Sequence, residues 1–78
     1  MKELLTALAQ GLVDHPEAVS VTVDEPDENG VSTYHLHVGA EDMGRVIGKQ
    51  GRIAKAIHTI MKSAAIRSHE KIYVEIDE

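Results

Sequence analysis

The sequence contains no cysteine, no tryptophan and no phenylalanine. Without thiols there is no disulfide and no thiolate zinc site, which fits a reducing compartment, so the cytoplasm is the expected location. Aromatic side chains are limited to Tyr34 and Tyr73, too few for the stacking platform on which many single-strand binders lay bases. Apolar runs are short as well. No stretch approaches the roughly 20 residues of a membrane span, and residues 1–13 lack the basic start and uninterrupted apolar run of a signal peptide. The expectation is a soluble, retained protein with no membrane partner. A chain of 78 residues makes one domain, here residues 1–78. Such a chain buries only about 60 to 65% of its surface on folding, which leaves a marginal core and favours self-association.

Acidic residues outnumber basic ones, for a formal charge of −5, but the two signs are segregated. Between Gly44 and Lys71 lie seven basic residues (Arg45, Lys49, Arg52, Lys55, Lys62, Arg67 and Lys71) against Glu70 alone, a local +6. The remainder carries one lysine and twelve acids, −11. A basic region on an acidic body points to local phosphate contact with little non-specific adhesion. The plain alternative, a solvated helix face, fits Lys62 and Arg67 best.

Periodicity divides the chain into six elements. Leu4, Leu5, Leu8 and Leu12 recur at helical spacing over Lys2 to Val13, and Asp14-His15-Pro16 ends that helix because the residue before proline is pushed out of the helical region. Val19, Val21 and Val23 alternate with polar residues as a strand with one buried face, and Glu25 to Gly30 is an acidic turn. Tyr34, Leu36 and Val38 form a second strand with His35 and His37 on its opposite face. Two histidines at this spacing could begin a metal site, but no third ligand lies near them in sequence, so no metal is expected. Glu41 and Asp42 start a short helix that runs to about Ile47. A long helix then places Ile53, Ile57, Ile60, Met61 and Ala64 on one face as core, and Ile72, Val74 and Ile76 alternate as a last strand.

The most unusual stretch is Gly44-Arg45-Val46-Ile47-Gly48-Lys49-Gln50-Gly51-Arg52-Ile53-Ala54-Lys55, with three glycines and four cations. Gly48 and Gly51 bracket Lys49-Gln50 where one helix stops and the next begins, so the backbone must turn sharply there. The first turn of the second helix adds free N–H groups and the positive end of a dipole, natural ligands for phosphate oxygens. A P-loop is excluded, because Gly44 and Gly48 enclose three residues and Lys49 precedes Gln50 rather than Ser or Thr. A dinucleotide fingerprint is excluded too, since Val46 stands where another glycine is needed. No nucleophile with an adjacent base and no metal cluster is recognisable, so no catalytic residue, cofactor or small-molecule substrate is expected and the chain does not read as an enzyme.

Val46-Ile47-Gly48-Lys49-Gln50-Gly51-Arg52-Ile53 resembles the V-I-G-x-x-G-x-x-I signature of KH (K-homology) RNA-binding domains. Its last isoleucine, Ile53, falls one place early, and Ile57 also lies within reach of that role. Size and layout resemble the short bacterial single-KH proteins of the KH-domain protein A (KhpA) family over essentially the whole length. The resemblance implies an α+β, type II KH domain with order α-β-β-α-α-β and a mixed three-stranded sheet with three helices packed on one face. Its strand-helix-helix-strand core would run from about residue 33 to 76, after an N-terminal helix and strand extension at 2–24. It also implies a groove for about four single-stranded RNA nucleotides. There Gly48, Lys49, Gln50 and Gly51 would clamp the backbone, and Arg45, Arg52 and Lys55 would supply charge. Ile47 and Ile53 would floor the bases, plain core being their other reading. The family further implies RNA chaperone or post-transcriptional roles, homodimers, a larger KH-containing partner, and links to cell-wall synthesis and cell shape. The alternative is a KH-fold interaction subunit of a larger assembly with little RNA affinity of its own.

Overall fold

The computed structural model describes residues 1–48 and 51–77, with Arg45 and Ile47 described by their backbone alone. Along the chain run α1 (Lys2–Leu12), a 3-10 turn (Pro16–Ala18), β1 (Ser20–Val23), β2 (Val31–His37), α2 (Ala40–Ile47), α3 (Arg52–Arg67) and β3 (Lys71–Asp77). The sheet has the order β1-β2-β3. β1 lies antiparallel to β2, whereas β3, returning after two helices, lies parallel to it, with His35 opposite Glu75 and His37 opposite Asp77. This is the expected mixed three-stranded sheet with three helices, the type II α+β arrangement.

Alternation along the strands sends Val21, Tyr34, Leu36 and Val74 to one face, where they are buried against Leu5 and Ala9 of α1 and Ile57 and Met61 of α3. Each large side chain removed from water in this way contributes roughly 1.5 to 3 kcal/mol. Ile53, Ile72 and Ile76 pack against the same cluster but stay half-exposed. The opposite face of the sheet, with Thr22, His35, His37, Tyr73 and Glu75, carries no helix and is open to solvent to differing degrees.

Local chemistry sets the connections. Between β1 and β2, the Asp27 carboxylate accepts the N–H groups of Asn29 and Val31 at 2.8 and 3.0 Å, and Gly30 takes a left-handed φ of 79°. This is the turn that Asp-x-Asn-Gly favours. After α3, the N–H of His69 donates to Ile66 and that of Glu70 to Ala65, with His69 itself left-handed at φ 56°. Those paired bonds are the Schellman arrangement, which satisfies carbonyls that the helix end leaves free.

Four apolar side chains depart from the core positions expected of them. Ile60 is 42% exposed because the buried seam of α3 is narrow, running Ile57, Met61 and Ala65, and Ile60 lies beside it. Leu4 and Leu12 lie at the edge of α1, whose buried positions are Leu5 and Ala9. Val23 ends a four-residue edge strand past the helical layer, and is exposed where Val21 is covered.

Candidate nucleic-acid interface

α2 and α3 meet at the glycine pair. The N–H of Gly51 donates to the carbonyl of Gly48 at 2.9 Å. Gly51 occupies the left-handed region at φ 66°, and an added Cβ would meet nothing within 4 Å, so glycine is needed there for its backbone conformation and not for space. It is also the N-cap of α3, and among the described residues no side chain caps that helix. Among the described residues, then, no side chain accepts from the first-turn N–H groups of α3, which lie at the positive end of a 16-residue helix.

Gly44 adds a second bare stretch of backbone. It lies inside α2, one turn before Gly48, and its missing side chain would face open space. Glycine in a helix interior costs about 1 kcal/mol relative to alanine, and among the described residues no contact calls for it.

Of the residues singled out in the sequence, Arg52 and Lys55 are exposed on the first turns of α3, and Gly48 and Gly51 are half-buried in the turn. Ile53 is half-buried, packed against the core cluster, which leaves part of it exposed. Lys49 and Gln50 lie outside the described residues, as do the side chains of Arg45 and Ile47. Arg52, Lys55, Lys62, Arg67 and Lys71 are all exposed, and among the described residues none is held in an ion pair. Their charge is available to a ligand.

Two features had no local signal in the sequence. Arg52, Lys55, Ala56, Thr59 and Ile60 line a shallow apolar depression with a cationic rim, which adjoins a second one shared by Ile60, Ala64, Leu4 and Met1. Asp42, 2% exposed, is the one buried charged side chain among the described residues. Its two carboxylate oxygens accept the N–H groups of Asp14 and His15 at 3.1 and 2.9 Å, tying the first turn of α2 to the end of α1. His15 in turn reaches Glu41 at 2.8 Å. Its pKa is raised, burial lowering it but the Glu41 bond and the charges of Asp42, Glu41 and Glu17 prevailing.

A mixed three-stranded sheet backed by three helices, two of them joined by a Gly-x-x-Gly turn that leaves backbone donors open, defines a KH domain of the type II arrangement. The chain belongs to the KhpA/KhpB family: the model of its KH domain matches residues 2–76. Similar proteins include the RNA-binding protein KhpA of Listeria monocytogenes, 51% identical over 78 residues that span both chains completely. The RNA-binding protein KhpA of Clostridium perfringens is 53% identical over 76 residues, 97% of this chain and 99% of that one. The protein of the same name from Oceanobacillus iheyensis is 40% identical over 76 residues, with the same coverage.

Proposed function

We propose that this protein binds single-stranded RNA, gripping the sugar-phosphate backbone at the Gly48-Lys49-Gln50-Gly51 turn. The observation that carries the reading is the uncapped N-terminus of α3, opened by a left-handed Gly51 and followed by unpaired Arg52 and Lys55. Backbone N–H groups at a helix start, the helix dipole and two exposed cations are complementary to consecutive phosphates. Arg45 adds charge on α2, and the bare backbone at Gly44 permits close approach. Ile47 and Ile53 provide apolar contact for bases, in a groove that reads unpaired nucleotides without stacking aromatics. The names of the relatives support RNA as the ligand. A role as RNA chaperone or post-transcriptional regulator in the cytoplasm, in a homodimer or with a larger KH-containing protein, is the setting in which such a module acts. Among the described residues no helix is long and apolar enough to cross a membrane.

The test is binding of short single-stranded RNA at two salt concentrations, by wild type and by the Lys49→Asp, Gln50→Asp double variant. Wild type binds, and binds less at higher salt. The variant, which changes local charge by −3, loses about tenfold or more in affinity through lost phosphate contacts and lost counterion release, with its melting temperature nearly unchanged. An unchanged dissociation constant removes the clamp. Absence of salt-sensitive binding by the wild type favours the other reading, an interaction subunit, for which the apolar patch around Ile60 is the supporting feature.

A further inference from the structure

The helix-free face of the sheet carries a side-chain cluster that the nucleic-acid reading does not use. His35 stands in the central strand, flanked in register by Glu75 on β3, with Asp77 two residues further along the same face. On the other side Asp24 follows the end of β1. His35 Nε2 lies 2.8 Å from Asp24 Oδ2, and Nδ1 lies 3.2 Å from Glu75 Oε2 and 3.7 Å from Asp77 Oδ2. The His35 side chain is 24% exposed, so the ring is held in place while its carboxylate partners keep access to solvent.

The two ring nitrogens have different tasks. Asp24 accepts a hydrogen bond from Nε2–H, which in the neutral imidazole makes Nδ1 the bare nitrogen. Nδ1 then faces two carboxylates, neither of which is a donor when ionised. A lone pair against two anions is unfavourable unless something positive lies between them. We propose that Nδ1 of His35, with Glu75 and Asp77, binds a divalent transition-metal cation of the zinc type, and that Asp24 orients the ring.

Three observations carry this. The donor atoms of His35, Glu75 and Asp77 all fall within 4.8 Å of one another. A tetrahedral ion with bonds near 2.0 to 2.1 Å needs ligand atoms about 3.3 Å apart; the 3.2 and 3.7 Å separations from Nδ1 are close to that, and the two carboxylate oxygens, within 4.8 Å of each other, would draw together by side-chain rotation. A carboxylate on the far nitrogen is the usual support for a metal-bound imidazole, fixing its tautomer and raising its basicity. An imidazole among the ligands selects zinc-like ions over magnesium or calcium, which prefer all-oxygen sets. Water would complete the coordination on the solvent side.

The proton is the competitor. The Asp24 hydrogen bond chiefly, opposed by burial and aided by the charges of Asp24, Glu75 and Asp77, raises the His35 pKa. His37, whose ring stacks on His35 at 6.5 Å between centroids, lies opposite Asp77, and Tyr73 and Lys71 alternate onto the same face of β3. A bound ion would join edge strand β3 to the central strand and neutralise an acidic patch.

The experiment is a zinc titration of the untagged full chain at pH 7.5, followed by the imidazole signals in NMR and by calorimetry. The expected result is saturable one-to-one binding that shifts the His35 signals first, leaves His15, His58 and His69 in place, and is not competed by magnesium. Glu75→Gln with Asp77→Asn loses the binding, and Asp24→Asn weakens it about 10- to 100-fold, as loss of an orienting carboxylate does. The wild-type spectra decide the site even where a variant is poorly folded. Zinc that perturbs several histidines equally, no binding, or a double variant with wild-type affinity would overturn the proposal.

Discussion

At the residue scale, single polar groups decide how segments far apart in sequence are joined. The Asp42 carboxylate, buried and accepting two backbone N–H groups from Asp14 and His15, leaves both donors without that acceptor if it is truncated. Asp42→Ala is expected to destabilise the fold by about 1 to 3 kcal/mol, since hydrogen bonds to a charged acceptor are worth more than neutral ones and these two are part-buried. Asp42→Asn, which keeps one acceptor oxygen, should lose less. Chemical denaturation of both variants checks the order, and equal stability of wild type and the alanine variant would refute this role.

Elements differ in how much of each helix face the neighbours cover. α3 buries Ile57 and leaves Ile60 42% exposed, beside Leu4 and Ala64. Ile57→Ala should therefore cost about 3 to 4 kcal/mol as a core cavity, whereas Ile60→Lys should cost under about 1 kcal/mol within the folded chain. An apolar patch on so short a chain is best covered by another protein surface, and a second copy of the chain is the occupant we propose. Sedimentation should show wild-type dimers at micromolar concentration and monomeric Ile60→Lys. A monomeric wild type at high concentration would refute self-association through this patch.

For the whole molecule, the pH dependence of stability follows from two histidines placed among carboxylates. His35 and His15 both have pKa values raised above the ordinary 6.5, for the reasons given above. A group whose pKa is higher folded than unfolded binds its proton more tightly in the native state. Its stabilisation is complete below the unfolded pKa and is lost as pH rises through the folded one. Between pH 6 and pH 8, measured with a chelator present, the melting temperature should fall, and His35→Gln with His15→Gln should flatten that slope. A wild-type slope of opposite sign would contradict the placement of these rings.

The alternation of Tyr34, Leu36 and Val38, the helical spacing of Ile53, Ile57 and Met61, and the glycine pair at 48 and 51 were sufficient to specify element order and type. Those signals are local: a strand repeats every second residue, a helix about every fourth, and a left-handed turn position such as that of Gly51 favours glycine. The RNA grip proposed for the glycine pair draws on resemblance and on the cations Arg52 and Lys55 beside it, both visible in the sequence. Tertiary structure decided everything that depends on residues distant in sequence. Parallel pairing of β2 with β3 sets His35 beside Glu75 and Asp77, forty and forty-two positions away. Packing of α1 against α3 leaves Ile60 exposed although its spacing is that of a core residue. Asp42 looked like a charge at a helix start, and becomes the buried acceptor for Asp14 and His15 only once α1 is folded against α2. Periodicity reports which face of an element is apolar, but burial and partnership depend on which neighbour covers that face, and that is fixed by the packing of the whole chain.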